Sequence, residues 1–357
     1  SMLAQDVADC VIPRWIVPPP KERDEEDAFL FAMERLPDIS QQLLAGWGSR
    51  PSLVDVGWVI DEFGRNTIGD WLPQMFRRAR QIGCFPIPST DISDLDAVAI
   101  AAFKASIDRS ASLKFGLIVD AGYFEDDDCS ARLNGILAAL DISPSECLLI
   151  ADASELDFGN VEFVAIVLEG ILEKMQEIGL WRHSVIQGTN YPNVNPANDG
   201  GSTRVARNEW LAWKRAVRFN PETELHLMFG DFCADCAKIV FGQSGAPAIR
   251  HIRYALEDAW IVERGRKEGK SNDEMRSVFK NLVKSPDFGG DRISQAGRFI
   301  LLSSRDPHLG CGNATTWRQL NTTRHITQTV RSIARVRKIE ISQLPASRDS
   351  VQLSMLV

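Results

Sequence analysis

The chain has 357 residues and an ordinary globular composition, with 44% hydrophobic and 25% charged residues. No apolar run approaches the roughly 18 residues that cross a bilayer, and the first residues lack the basic flank and apolar core of a signal peptide. Seven cysteines, an odd number scattered along the chain, do not suggest a disulfide framework. We therefore expect a cytoplasmic protein with no membrane partner.

Charge is unevenly distributed along the chain, although the net charge is only −8. Residues 1–200 carry 15 Lys/Arg and 32 Asp/Glu, a net of −17, whereas residues 201–357 carry 25 and 16, a net of +9. One interpretation is that the two halves attract each other within a single fold. The other is that the C-terminal half presents a basic surface to an anionic ligand or nucleic acid.

Apolar runs of strand length alternate with amphipathic helical stretches along most of the chain. The runs are nearly continuous in apolarity, which is typical of parallel strands covered on both faces. The predicted strands are residues 13–18, 52–56, 84–88, 115–120, 147–152, 184–188, 225–231 and 249–254, and the predicted helices between them are 68–82, 94–107, 131–140, 163–178 and 204–219.

Eight strands in about 250 residues favour a closed (βα)8 TIM-barrel-like parallel barrel over residues 11–265. A doubly wound open sheet is the alternative, but three prolines (18–20) follow the first strand where a glycine fingerprint would stand. Beyond residue 265 the pattern is helical only, at 272–284, 291–304 and 315–338. We expect residues 266–340 to form a C-terminal helical segment packed on the barrel, followed by a tail, 341–357.

Aspartates close several of the predicted strands. Asp120, Asp152 and Asp231 end the fourth, fifth and seventh strands, at the face where such barrels carry their sites. Converging carboxylates suit a divalent metal or acid–base chemistry. Aspartate is also a common turn former and helix cap after a strand, so each residue has a structural explanation as well.

A long polar connection, residues 190–202, follows the sixth predicted strand, and connections of this length are often functional. It leads to Arg204 and Arg207 in the first turn of a predicted helix, where the helix dipole favours acidic residues. Basic residues there fit a bound anion or, equally, a solvated helix face. Arg253, at the end of the eighth strand, is a planar fork that could clamp a phosphate or carboxylate at the same rim.

Two further groups of residues have less specific interpretations. Cys233 and Cys236 form a lone C-x-x-C with no second pair and no spaced histidines, so we expect two thiols without a metal. His325 and Trp317, among basic residues of the last helix, could bind an anion or simply pack. The sequence contains no phosphate-binding P-loop, no G-x-S-x-G and no H-E-x-x-H.

Ordered blocks from residue 181 onward resemble the beta family proteins, which are named for a phage beta protein. The blocks are residues 181–192 (WRHSVIQGTNYP), 207–210 (RNEW), 229–232 (FGDF), 252–254 (IRY), Trp260, 312–313 with 316–317, and 325–327. Phe232 stands where the family has tyrosine, and Arg324 stands where a second histidine often precedes His325. The resemblance covers most of residues 11–338.

The resemblance implies a setting in phages and in mobile or defence-associated bacterial gene neighbourhoods, with no reaction attached. We therefore expect a binding or effector-support protein of phage–host conflict that takes an anionic ligand, such as a nucleotide or nucleic acid, or a neighbour-encoded protein at the barrel mouth, without a cofactor. The expected ligand-binding residues are Asn190, Arg207, Glu209, Asp231, Arg253, Tyr254 and Trp317. The alternative is a metal-dependent phosphodiesterase or nuclease that binds a divalent metal through Asp120, Asp152 and Asp231.

Overall fold

The computed structural model describes residues 2–18, 38–218, 227–237, 249–268 and 272–345. The largest element is a curled parallel sheet, a half-barrel whose seven strands follow the order of the chain. These strands are β1 (Arg14–Ile16), β2 (Pro51–Asp55), β3 (Phe85–Asp91), β4 (Phe115–Asp120), β5 (Cys147–Asp152), β6 (His183–Gln187) and, after β7 (Ser202–Ala206) of another sheet, β8 (Leu227–Gly230). The α/β class and the parallel sheet are thus confirmed.

The strands of the half-barrel are apolar on both faces, and the helices bury the convex one. In β4, Phe115 and Leu117 face the helices, whereas Ile118 joins the separate cluster of the concave face. A Cβ on Gly116 would lie 2.8 Å from Leu53 Cδ2, so the tight curl at this point requires glycine. The helices of this part are α1 (Gln5–Ala8), α2 (Ser40–Trp47), α3 (Gly57–Phe63), α4 (Ile68–Gln81), α5 (Ala97–Ser106), α6 (Cys129–Leu140), α7 (Val161–Ile178) and α8 (Asn208–Arg218).

A second, antiparallel sheet stands where the predicted barrel would have closed. It consists of β7 (Ser202–Ala206), β9 (His251–Ala255) and β10 (Ala259–Arg264), in the order β7-β10-β9. The expectation of a closed eight-stranded barrel is therefore wrong, because the eighth predicted strand, 249–254, belongs to this sheet. The connection 256–258 is too short for a parallel crossover, so it returns the chain antiparallel as a hairpin.

The boundaries of other elements also differ from the predicted ones. The predicted helix 204–219 begins too early, since 202–206 form β7, and β10 was not predicted. Of the seventh predicted strand, residues 225 and 226 lie outside the described part of the chain. The three C-terminal helices are confirmed as α9 (Asn272–Lys284), α10 (Gln295–Arg305) and α11 (Ala314–Val336).

These last helices cover one face of the small sheet and form a second core with Ile252, Tyr254 and Ile261. The longest of them, α11, also runs along the free edge of β9. Asn321 Oδ1 accepts from the Arg253 amide at 3.0 Å, and Arg324 Nε donates to the Ala255 carbonyl at 3.0 Å. The side chains of α11 thereby satisfy backbone groups that an edge strand would otherwise expose.

The C-terminal part of α11 reaches the half-barrel. Ile333 packs against its main core, and Arg337 Nη2 donates to the Leu227 carbonyl of β8 at 2.5 Å. The helix thus joins both sheets and fixes the small sheet near the last strand of the half-barrel. No helix in the described ranges combines the length and apolarity needed to cross a membrane.

Candidate functional site at the carboxyl rim

The carboxyl ends of the parallel strands form one rim. Asp120, Asp152, Gln187 and Gly230 are register partners on successive strands, and Asp231 directly follows the last of them. Asp120, Asp152 and Asp231 therefore lie at the same end of the half-barrel. This end is where α/β sheets usually bind ligands.

Each of these aspartates caps the turn that follows its own strand. Asp120 Oδ1 accepts from the Gly122 amide at 2.8 Å, and Asp152 Oδ1 accepts from the Ser154 amide at 3.0 Å. Asp231 Oδ1 does the same for the Cys233 amide at 2.9 Å. Among the residues that the structure describes, no three or more His, Cys, Asp or Glu side chains are placed to hold a metal ion together.

Beneath the rim lies a buried set of ionisable side chains, Arg207, Glu209, Asp231 and His325, which we term the rim charge cluster. Arg207 is fully buried at its centre. Its Nε lies 3.4 Å from Glu209 Oε1, its Nη2 lies 3.7 Å from Asp231 Oδ2, and Nη2 also donates to Thr329 Oγ1 at 3.0 Å. The cation thus has two carboxylates and a hydroxyl as partners.

Aromatic rings surround the same guanidinium. Its central carbon lies 5.7 Å from the Trp210 ring centroid, 6.0 Å from Phe229 and 5.4 Å from Trp260. A guanidinium is attracted to aromatic faces and is less strongly hydrated than an ammonium, so it tolerates this environment better than lysine would. Acids at the edge and rings on the faces together explain how the guanidinium of Arg207 is accommodated in the interior.

The proton position on His325 follows from its neighbours. Trp260 Nε1 can only donate, and it lies 3.1 Å from His325 Nδ1, so that nitrogen is the acceptor. His325 Nε2 consequently carries the hydrogen and donates it to Asp231 Oδ2. Burial lowers the pKa of His325, although the Asp231 carboxylate opposes this shift. The imidazole is therefore neutral and fixed in one tautomer.

The two carboxyl groups of the cluster behave differently. Burial acts to raise the pKa of Asp231, but His325 and Arg207 outweigh it and hold that pKa below its ordinary value. For Glu209, burial dominates over Arg207 and raises the pKa to about 7. Asp231 is thus a permanent anion, whereas Glu209 exchanges a proton near neutral pH and changes the net charge of the cluster.

The segment that follows Asp231, residues 231–237, forms a strained turn that we term the rim loop. Cys233 and Ala234 have φ angles of 55° and 66°, and the Asp235 amide donates to the Phe232 carbonyl at 3.2 Å. Two successive left-handed residues in such a turn normally call for Asn-Gly, so Cys-Ala stores strain. Strain of this kind persists only where surrounding contacts enforce it, and it is common at functional sites.

Arg253 supplies those contacts from the small sheet. Its Nη1 donates to the Ala234 carbonyl at 2.8 Å and pairs with Asp235 Oδ1 at 2.7 Å. Its Nε contacts His251 Nε2 at 3.1 Å, and its guanidinium lies 4.5 Å from the Tyr191 ring centroid. The rim loop is therefore held at one end by the rim charge cluster and at the other by Arg253.

The connection that follows β6 contacts both the rim loop and the rim charge cluster. The Asn190 amide donates to Glu209 Oε2 at 3.2 Å, and Asn190 Nδ2 donates to the Ala206 carbonyl at 3.0 Å. Thr189 Oγ1 donates to the Asp235 carbonyl at 3.1 Å. The structure thus brings together five of the expected ligand-binding residues, which are Asn190, Arg207, Glu209, Asp231 and Arg253.

Tyr254 and Trp317 lie elsewhere, in the second core. The Tyr254 hydroxyl accepts from the Gly289 amide at 3.0 Å, and Trp317 Nε1 donates to the Cys311 carbonyl at 2.7 Å. Successive residues of a strand point to opposite faces, so Arg253 reaches the rim whereas Tyr254 cannot.

Sequence reasoning left the role of His325 open between anion binding and packing, and it did not assign Trp260 or Asp235 to the site. Trp260 and His325 were visible only as separated landmarks of the family pattern. Their hydrogen bond joins residues 65 positions apart, and this distance in the chain hides it from any local pattern.

The sequence was compared with profiles of known protein families. The profile of the Beta protein family matches residues 1–331, which include the half-barrel, the small sheet and α11 as far as Arg331. No curated protein matches the chain.

Proposed function

This chain belongs to the Beta protein family, and from that premise we propose that it is a binding protein of phage–host conflict, supporting antiviral defence or a mobile element. It recognises an anionic ligand or partner at the carboxyl rim. The observation that carries the proposal is the ion pair between Arg253 and Asp235. The arginine side chain is only 19% exposed, whereas the aspartate side chain is 62% exposed.

An incoming anion can replace Asp235 on Arg253 at little cost. Because the Asp235 carboxylate is largely in water, its pairing with Arg253 is worth only on the order of 1 kcal/mol, and the carboxylate gains freedom when it leaves. Arg253 itself stays oriented, because His251, Tyr191 and the Ala234 carbonyl hold the guanidinium independently of Asp235. A phosphate or carboxylate thus finds a planar donor that is already positioned.

The rim charge cluster supports this site from below. Arg207 is buried and fully engaged, so it holds Asp231 and the start of the rim loop in place and does not itself touch the ligand. Protonation of Glu209 makes the cluster less negative near neutral pH, which favours an anion above it. We expect ligand affinity to fall as pH rises through about 7.

The hydrolase alternative would require Asp120, Asp152 and Asp231 to share a metal ion. In the described part of the chain each of them caps its own turn, and no observation favours the shared site. The proposed binding function requires no cofactor.

The test is a thermal-shift screen of the full chain with inorganic phosphate, nucleotides and short oligonucleotides, followed by titration of the best ligand. We expect Arg253→Ala to weaken binding at least about tenfold, since it removes charge-assisted hydrogen bonds. Asp235→Asn should strengthen binding, because it removes the competing carboxylate.

Arg318→Ala, an exposed arginine on α11, serves as the matched control and should bind like the wild type. If Arg253→Ala folds and binds every ligand as the wild type does, the site is not at this rim. If no small anion binds, co-purification with the product of a neighbouring gene, lost in Arg253→Ala, would identify the ligand as a protein partner.

A further inference from the structure

A second set of arginines lies where the C-terminal segment Ser342–Pro345 crosses α10 and α11. We term the set, Arg292, Arg298, Arg324 and Arg331, the arginine cluster, and the crossing segment the strap. Arg324 and Arg331 are seven residues apart on α11 and so share one face of the helix. Arg292 precedes α10, and Arg298 lies within it.

The strap gives these arginines backbone carbonyls as their partners. Arg331 Nη2 donates to the Ser342 carbonyl, and Arg298 Nη2 donates to the Pro345 carbonyl. Arg292 Nε lies 3.5 Å from the Leu344 carbonyl, and the Leu344 amide donates to the Arg292 carbonyl at 2.8 Å. The backbone carbonyls of Ser342, Leu344 and Pro345 thus each face an arginine side chain.

Carboxylates are missing from this set of contacts. Within the described ranges, none of the four arginines forms an ion pair with an acidic side chain. Asp6 Oδ2 is close enough to favour the charge of Arg331, but it accepts from the Ser342 amide at 2.8 Å and so holds the strap. The positive charge of the arginine cluster therefore faces mostly neutral backbone carbonyls.

Several donors of the arginine cluster are also buried and unused. Arg324 is 3% exposed and Arg298 is 9% exposed. Arg324 Nη1, Arg298 Nε and Arg331 Nε have no hydrogen-bond partner among the described residues. Burial lowers the pKa of both Arg324 and Arg331, which shows that the surroundings oppose their charge. Buried cations without an acid are costly, and an anion would relieve that cost.

We propose that the arginine cluster is a second anion site, which takes phosphoryl groups, and that the strap occupies it when no ligand is bound. The strap carbonyls stand where phosphate oxygens would accept hydrogen bonds. The carbonyls of Ser342, Leu344 and Pro345 can be replaced together only by a ligand with several acceptor oxygens, which suits two linked phosphoryl groups better than a single one. Ser342 and Pro345 are exposed, so the strap can leave without unfolding the helices.

The first test uses the full chain with inorganic pyrophosphate, measured by titration calorimetry and by hydrogen exchange. We expect pyrophosphate to bind and the Leu344 amide, protected in the free protein by the Arg292 carbonyl, to exchange at least about tenfold faster at saturation. Unchanged exchange of Leu344 at saturation would overturn the proposal, because the strap would then not have moved.

Substitutions of single arginines test where pyrophosphate binds. Arg298→Gln and Arg331→Gln should each weaken pyrophosphate binding at least about tenfold. Arg305→Gln on α10 and Arg318→Gln on α11, exposed arginines of the same helices, should not. Arg253→Ala should retain this binding, which separates the site from the rim. Affinities equal to the wild type in both Arg298→Gln and Arg331→Gln would refute the assignment.

A weakened strap provides the converse test. Leu344→Gly replaces a half-buried side chain of the strap and leaves all four arginines in place, so we expect pyrophosphate affinity to increase. A decrease, or no binding by either protein, would mean that the arginines only anchor the C-terminal segment. Parallel titrations with a nucleoside triphosphate and a 5′-phosphorylated oligonucleotide distinguish a free ligand from a nucleic-acid end as the source of the phosphoryl groups.

Discussion

Arg207 and Arg324 are both buried arginines, but the chain surrounds them very differently. Arg207 has Glu209 and Asp231 beside it, and its charge helps to lower the pKa of Asp231. Arg324 has the Ala255 carbonyl, Gln328 and the face of Tyr254, and burial lowers its own pKa. The first cation is neutralised within the fold, whereas the second is only solvated by dipoles.

This difference indicates what each arginine does. A buried cation whose acidic partners lie beside it needs no further ligand, and its removal leaves those acids without a counter-charge. A buried charge that faces only neutral groups is stabilised further by any anion that reaches it. We therefore assign Arg207 to holding the rim in place and Arg324 to a site that is completed by a ligand.

The largest predicted effect separates the two arginines directly. Arg207→Met should lower the free energy of unfolding by about 3–5 kcal/mol, because it leaves Asp231 and Glu209 buried without their cation. Arg324→Met should cost clearly less, about 1–2 kcal/mol, since the loss of an uncompensated charge offsets part of the cost of leaving the Ala255 carbonyl without its donor. Urea unfolding of both variants at pH 7 measures the contrast, and equal losses would contradict it.

A second prediction concerns pH and the proton on Glu209. Its pKa is raised from 4.5 to about 7 on folding, so the unfolded chain loses this proton at lower pH than the folded protein does. Glu209 therefore reduces stability progressively as pH rises from about 4.5 to 7, by at most about 1.4 kcal/mol per pH unit, and no further above 7.

Glu209→Gln tests this prediction because it keeps the size of the side chain and removes the titration. Unfolding free energies measured from pH 5 to 8 should fall less steeply with pH up to about 7 in the variant than in the wild type. Asp231, whose pKa is lowered, contributes stability that is lost only as pH falls through its folded value, well below this window. Parallel curves for the two proteins would mean that Glu209 is already ionised at pH 5.

The smallest predicted effect probes the strain of the rim loop. Ala234→Gly should raise the free energy of unfolding by about 1 kcal/mol, because glycine adopts a φ of 66° without strain. It should also weaken ligand binding at the rim, since the loop is then less well positioned. Thermal melts and ligand titration measure the two effects.

Asp141→Gly is the matched control for this variant. Asp141 has a φ of 60° at the end of α6 and lies outside the rim site, so the substitution should relieve strain without changing ligand affinity. If Ala234→Gly gains stability and binds as tightly as before, the strain of the rim loop does not contribute to recognition.

How far the sequence predicted the site depends on how local each signal was. The turn-capping role of Asp120 and Asp152 was open from the start, because aspartate after a strand has that common use. Arg207 and Glu209 were expected at the site from the family pattern, and they are adjacent there. The salt bridge from Arg253 to Asp235 and the hydrogen bond from Trp260 to His325 were not predicted, since each joins separate elements.

The sequence by itself determined most of the element types and their order, including β1 to β6, β8 and α4 to α7, but not β7 and β10. Continuous apolar runs specify strands covered on both faces, and amphipathic stretches such as α4 and α7 specify helices, because both patterns depend on neighbouring residues alone. Only the tertiary structure decided which strands pair. The short turn after β9 and the packing of α11 along its edge commit that strand to an antiparallel sheet, so the half-barrel stays open and Arg253 turns toward the rim. Pairing partners depend on contacts between distant residues, and no local period encodes them.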